Sequence, residues 1–242
     1  MKKLVLVATL AAAVSATACT TSSGNGNGDV TVTANWSFKH IADGGARSCP
    51  VGFDTATVFA VPYDTLTAEL NGNEIPTDLF NCSAGRGTIL VPDGQYLISV
   101  RIENHAGTTT YADSEQVFID TAVDGSFAVE ILDDGGYLTF RWTLHDAVTR
   151  SRLTCAEAGV TSNGAVESIA TRANSGGFMR TDQFTCEDHY GTTDGLPAGN
   201  YTVALEAQNN DLQLGDAVTL PQTPVGPQND VTDLGHVQIP ID

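Results

Sequence analysis

Five cysteines and five histidines are the side chains of this 242-residue chain whose chemistry is most readily named. Thiolates bind zinc, carry redox chemistry or close disulfides, and imidazoles bind metals or move protons. Spacing decides among these roles. No Cys-x-x-Cys occurs, and the histidine nearest a cysteine stands alone in Cys186-Glu187-Asp188-His189-Tyr190, so a zinc site is disfavoured. Four cysteines instead recur with other residues. Trp36 precedes Cys49 by thirteen positions, and Trp142 precedes Cys155 by thirteen. Cys82 and Cys186 follow, and then Gly94-Gln95-Tyr96 and Gly199-Asn200-Tyr201. The histidines do not recur: His40 aligns with Asp146, and Lys39 with His145. His105, His189 and His236 likewise lack counterparts. No GxSxG, HExxH or P-loop is present. Acid-rich turns at Asp133-Asp134 and Asp93-Gly94 do not follow a calcium-loop template, although calcium in a loop stays open. The residues therefore assign no catalytic group, metal ligand or cofactor.

The two tyrosines lie 105 positions apart and the tryptophans 106. That period is the size of a small domain, too long for a solenoid repeat. It predicts two related modules, 30–134 and 135–242. Four cysteines allow three connectivities, and the duplication selects Cys49–Cys82 and Cys155–Cys186. Each loop would contribute roughly 3.5–4 kcal/mol in the chain-entropy account of disulfides.

Strand rhythm runs through both modules. Val30, Val32, Ala34, Trp36 and Phe38 alternate with polar residues, as do Leu138, Phe140, Trp142 and Leu144. Both tryptophans are expected in a core. The turns Asp93-Gly94 and Pro197-Ala198-Gly199 lead into tyrosine strands, an arrangement that predicts tyrosine corners. Pro221, Pro224 and Pro227 mark an extended loop before the final strand, 231–239.

Leu90-Val91-Pro92-Asp93-Gly94-Gln95-Tyr96 and Leu196-Pro197-Ala198-Gly199-Asn200-Tyr201-Thr202-Val203 resemble the Leu-Pro-x-Gly-x-Tyr-x-Val segment of carboxypeptidase regulatory-like sandwiches. The overall plan resembles tandem-domain lipoproteins of Gram-negative bacteria with no assigned activity. The resemblance implies an all-β chain with two tandem immunoglobulin-like or transthyretin-like antiparallel β-sandwiches, and it implies no chemistry.

The N-terminus reads as an export signal over residues 1–18. Lys2 and Lys3 precede an uncharged run from Leu4 to Val14, too short to span a bilayer as a helix. Ala16-Thr17-Ala18-Cys19 resembles a bacterial lipobox, with alanine where leucine is commonest at the first position. Cleavage after Ala18 without lipidation also fits. Cys19 is the odd cysteine outside the pairs, which favours lipidation there. Two or more acyl chains would anchor the chain stably. Thr20, in place of a retaining aspartate, points by resemblance to the outer membrane, with the periplasmic or surface face unresolved. Residues 19–29 form a Gly/Asn/Ser-rich tether.

The formal charge is −18. Removal of Lys2 and Lys3 leaves nine basic residues against 29 acidic ones, a net charge of −20. Such a chain is repelled by phosphate backbones, which excludes nucleic acid as a partner. The expected protein is therefore a non-enzymatic, lipid-anchored interaction or structural module of the cell envelope, and the oligomeric state is not set. Its partners would be the membrane, through the anchor, and an envelope protein or glycan. A carbohydrate-binding or adhesion role would use exposed aromatics, for which Tyr63, Tyr111, Phe178 and Tyr190 are candidates. A hydrolase would need a cleft with two facing acids of raised pKa.

Overall fold

The computed structural model describes residues 28–161, 164–173 and 177–242. The export signal, Cys19 and nearly all of the tether lie outside the described residues. The rest is all-β, with two sandwiches and two single-turn 3₁₀ helices.

In the first sandwich the strand Asp29–Lys39 buries Val32, Ala34, Trp36 and Phe38 on one face. Arg86–Pro92 pairs with it antiparallel and Ser126–Leu132 pairs with it parallel. The facing sheet runs Ile75–Asn81, Thr55–Asp64, Gln95–Glu103, with Thr110–Asp113 and Val117–Asp120 along the far edge. The second sandwich repeats this plan. Gly135–Asp146 pairs with the terminal strand Asp230–Ile241, again parallel. Met179–Phe184, Gly164–Arg172 and Gly199–Asn209 form the facing sheet. Antiparallel pairing thus holds except between the first and last strand of each sandwich. Those two strands are not joined by a hairpin, so nothing forces the direction to reverse. One continuous core runs from Val32 to Ile131 and another from Leu138 to Ile241.

Both disulfides form as paired by the duplication, each with Cα atoms 6.1 Å apart. The second cysteine of each pair opens a 3₁₀ turn, Cys82–Ala84 or Cys186–Asp188, which ends on a left-handed residue. That residue is Gly85 (φ 65°) in one copy and His189 (φ 52°) in the other. A non-glycine residue is uncommon there; His189 gains a compensating bond between Nδ1 and the Trp142 carbonyl at 3.1 Å. The tryptophans are buried but differ: Trp36 Nε1 donates to the Cys82 carbonyl at 2.8 Å, whereas Trp142 Nε1 has no partner.

Both tyrosine corners are present. Tyr96 donates to the Pro92 carbonyl at 3.0 Å and Tyr201 to the Pro197 carbonyl at 2.7 Å. Tyr201 is completely buried, so Tyr201→Phe leaves the Pro197 carbonyl without this donor. The expected loss is about 1 kcal/mol, read as a lower urea midpoint at unchanged slope. An unchanged midpoint would show that the corner contributes nothing.

The sandwiches meet closely. Alternation along Gly135–Asp146 predicts one polar outer face, yet Thr139 and Thr143 on that face are buried. At the same sheet Tyr63 of the first sandwich donates to the His189 carbonyl at 2.9 Å, and Glu69 lies 4.0 Å from Arg141. Tyr63, Leu97 and Tyr190 form a small apolar cluster of their own, with Phe118 packed against it. Gly136 permits the tight start of the second sandwich, since a Cβ there would overlap the Asp230 carbonyl.

Candidate functional site: the cleft between the sandwiches

The cleft of about 620 Å³ takes its walls from both sandwiches. One wall is the run Glu115–Phe118 with Ala128–Glu130 of the parallel edge strand; the other is Tyr137, Phe184, Asp188 and the turn Tyr190–Gly195. Gln116 ties the walls together by accepting a bond from Thr192 Oγ1 at 3.2 Å. Tyr137 does the same by donating to the Glu130 carbonyl at 2.8 Å. Asn229, which also links the sandwiches, is buried at φ 55°. Its Oδ1 accepts from Leu132 N–H and its Nδ2 donates to the Asp113 carbonyl, both at 2.6 Å.

Glu115 is the unusual group. Its Oε2 is shut off from solvent and has no hydrogen-bond partner, and its Oε1 accepts a long bond, 3.4 Å, from Glu130 N–H. Burial, with a smaller push from Glu130, raises its pKa to about 8. Asp188 in the same cleft is raised to about 6, by burial and then by Glu187 and Asp124.

A buried acid with a raised pKa makes folding pH-dependent. The folded chain holds the Glu115 proton up to about pH 8, whereas the unfolded chain loses it near 4.5. Stability from this group is therefore fully present below pH 4.5 and declines as pH rises to about 8. Glu115→Gln is expected to raise the melting temperature at pH 8 and leave it nearly unchanged at pH 4.5. Equal shifts at both values would show that the carboxyl is not held neutral.

The four aromatic candidates are not a binding platform. Tyr63 and Tyr190 are buried at the joint between the sandwiches. Tyr111 packs at a tilt against Phe53 and Phe178 meets Tyr201 edge-on, each packed against a core. The acid turn at the joint does gather groups. Among the described residues His40, Asp133 and Asp134 form the one His/Asp set close enough to share a metal ion, with candidate ligand atoms within 4.8 Å. Asp134 accepts the N–H groups of Ile41 and Ala42 at 2.6 and 3.0 Å. Burial opposes its ionisation, but those donors outweigh burial and lower its pKa. Asp133 lies 3.5 Å from Arg47. Asp134 thus ties the boundary turn to Ile41 and Ala42, while buried His40 Nδ1 and Asp133 Oδ1 have no hydrogen-bond partner. His145 and His236 share Thr143 Oγ1, at 2.9 and 3.1 Å, while His105 is exposed.

No protein-family model and no curated protein matches this chain. Solved structures do. A leucine-rich repeat protein from Bacteroides thetaiotaomicron is 15% identical over 88% of this chain and 26% of its own length, with a TM-score of 0.37. The chain thus spans about a quarter of that protein. A minor pilin of Streptococcus agalactiae is 10% identical over 88% of this chain and 96% of its own, with a TM-score of 0.28. The fimbrial anchor protein Mfa2 of Porphyromonas gingivalis is 12% identical over 78% and 82%, with a TM-score of 0.27. At these scores the likeness assigns no site residue.

Glu115 and Asp188 were not legible as site residues. Glu115 sits in the polar stretch Asp113-Ser114-Glu115-Gln116, which carries no motif. Its burial comes from segments distant in the chain.

Proposed function

We propose that this chain is a lipid-anchored, non-enzymatic protein of the cell envelope whose two sandwiches act as one rigid interaction module. The cleft between them is the recognition surface. The observation that carries this reading is the clamped cleft, whose walls come from both sandwiches and are bridged by Thr192–Gln116 and Tyr137–Glu130. Preformed concave sites with a few convergent polar groups are the usual form of a ligand site.

The sequence around Cys19 supports the anchor, and Thr20 supports placement in the outer membrane. Radiolabelled palmitate should enter the wild-type chain and not Cys19→Ser; equal labelling would remove the anchor at that residue. A binding screen of the full chain against envelope proteins, peptides and glycans tests the module, and uniform silence would overturn it.

A further inference from the structure

We propose that the boundary between the sandwiches carries a site for a divalent transition-metal ion of the zinc type, with His40, Asp133 and Asp134 as ligands. One ring nitrogen of His40 and one oxygen of each acid lie within 4.8 Å of one another. A single ion at about 2.0–2.2 Å from nitrogen and carboxylate donors fits such a gap. None of the three lines the cleft, so the site is independent of the recognition surface.

Two observations point to an ion. First, His40 Nδ1 and Asp133 Oδ1 are closed to solvent and lack hydrogen-bond partners. Nδ1 nevertheless lies 3.4 Å from Asp134 Oδ2 and 3.5 Å from Asp43 Oδ1. An imidazolium would turn its N–H onto one of these oxygens in a charge-assisted bond. His40 Nδ1 lies near both acceptors and bonds neither, as a nitrogen does when it shares an ion with them. Second, those separations match the edge of a coordination tetrahedron, since bonds of about 2.1 Å set ligands about 3.4 Å apart. Asp43 Oδ1 is thus placed to complete the set. The ligands screen one another, but an ion reaches them from the surface: the side chains of His40, Asp133 and Asp134 are 31%, 30% and 23% exposed.

The surroundings hold the acids in place. Arg47 takes Asp43 Oδ2 at 2.8 Å and lies 3.5 Å from Asp133 Oδ2, which leaves the Oδ1 atom of each to His40. Three carboxylates face one guanidinium, so negative charge is left over for a dication. Imidazole selects the ion, because calcium and magnesium take oxygen ligands whereas zinc takes nitrogen with carboxylate. The backbone carbonyls of Asp133 and Asp134 accept from Gln228 and Ala198 of the second sandwich at 3.3 and 3.2 Å. An ion that holds their side chains to His40 therefore ties the second sandwich to the end of the first strand.

The test is calorimetric titration of the chelator-treated full chain with zinc, and with calcium and magnesium as comparators. The chain carries Cys19→Ser, which removes the one thiol outside the disulfides. One zinc should bind per chain, and the melting temperature should rise with zinc concentration. His40→Gln and Asp133→Asn, each checked by its metal-free melting curve, should weaken zinc at least about tenfold, the loss that removal of even an outer partner causes. His236→Ala, which alters the separate His145/His236 pair, should bind zinc as wild type does. No saturable zinc binding, tighter binding of calcium or magnesium, unchanged affinity in either His40→Gln or Asp133→Asn, or loss of the site in His236→Ala would overturn the proposal. Each of those outcomes leaves the reading of the cleft standing.

Discussion

Replacing Asn229 with alanine is expected to split one cooperative melting transition of the chain into two. The side chain is 3% exposed and spans the joint, accepting from Leu132 N–H and donating to the Asp113 carbonyl at 2.6 Å each. Its removal strands a buried donor, worth about 1–3 kcal/mol when unsatisfied, and a half-buried acceptor. Alanine would also carry the left-handed φ of 55° less well than asparagine. The expected loss is about 2–4 kcal/mol, placed on coupling between the sandwiches because each keeps its own core. Asn229→Gly separates the two causes, since glycine accepts that φ and still lacks the side chain. Calorimetry should show split transitions for both variants, with the alanine variant lower. A single transition within about 0.5 kcal/mol of wild type would show that Asn229 does not couple them.

The second large effect concerns the disulfides. Cys155→Ala with Cys186→Ala opens a loop of sequence separation 31, and Cys49→Ala with Cys82→Ala one of 33. Each double variant should lose about 3.5–4 kcal/mol by the loop-entropy relation, read from urea midpoints. The loss should track the sandwich that carries the bond. In the Cys49/Cys82 variant the Cys82 turn that receives Trp36 Nε1 is also freed, so Trp36 fluorescence should respond first. Midpoints unchanged by both double substitutions and by reductant would show that the bridges do not constrain the unfolded chain.

Sequence and structure agree where the information is local or repeated. The cysteine pairing follows from duplication, and the tyrosine corners follow from a turn four residues upstream of each phenol. The core tryptophans follow from alternation of period two. Disagreement begins where a residue's neighbours come from the other module. Thr139 and Thr143 look like solvent-facing positions and are buried, Thr143 held between His145 and His236. Tyr63 and Tyr190 look like spare aromatics and instead build the joint.

The sequence by itself determined an all-β chain, the doubled module, its disulfides and its turn-anchored tyrosines. Those features depend on residues two to four apart or on a repeat visible at a period near 105. Tertiary structure alone decided the cleft. Thr192 meets Gln116 across 76 positions and Asn229 meets Leu132 across 97. Glu115 becomes an acid of pKa about 8 because folding removes its carboxyl from water, with a further push from Glu130. Desolvation is a property of the enclosing volume, and no spacing of residues along the chain encodes it.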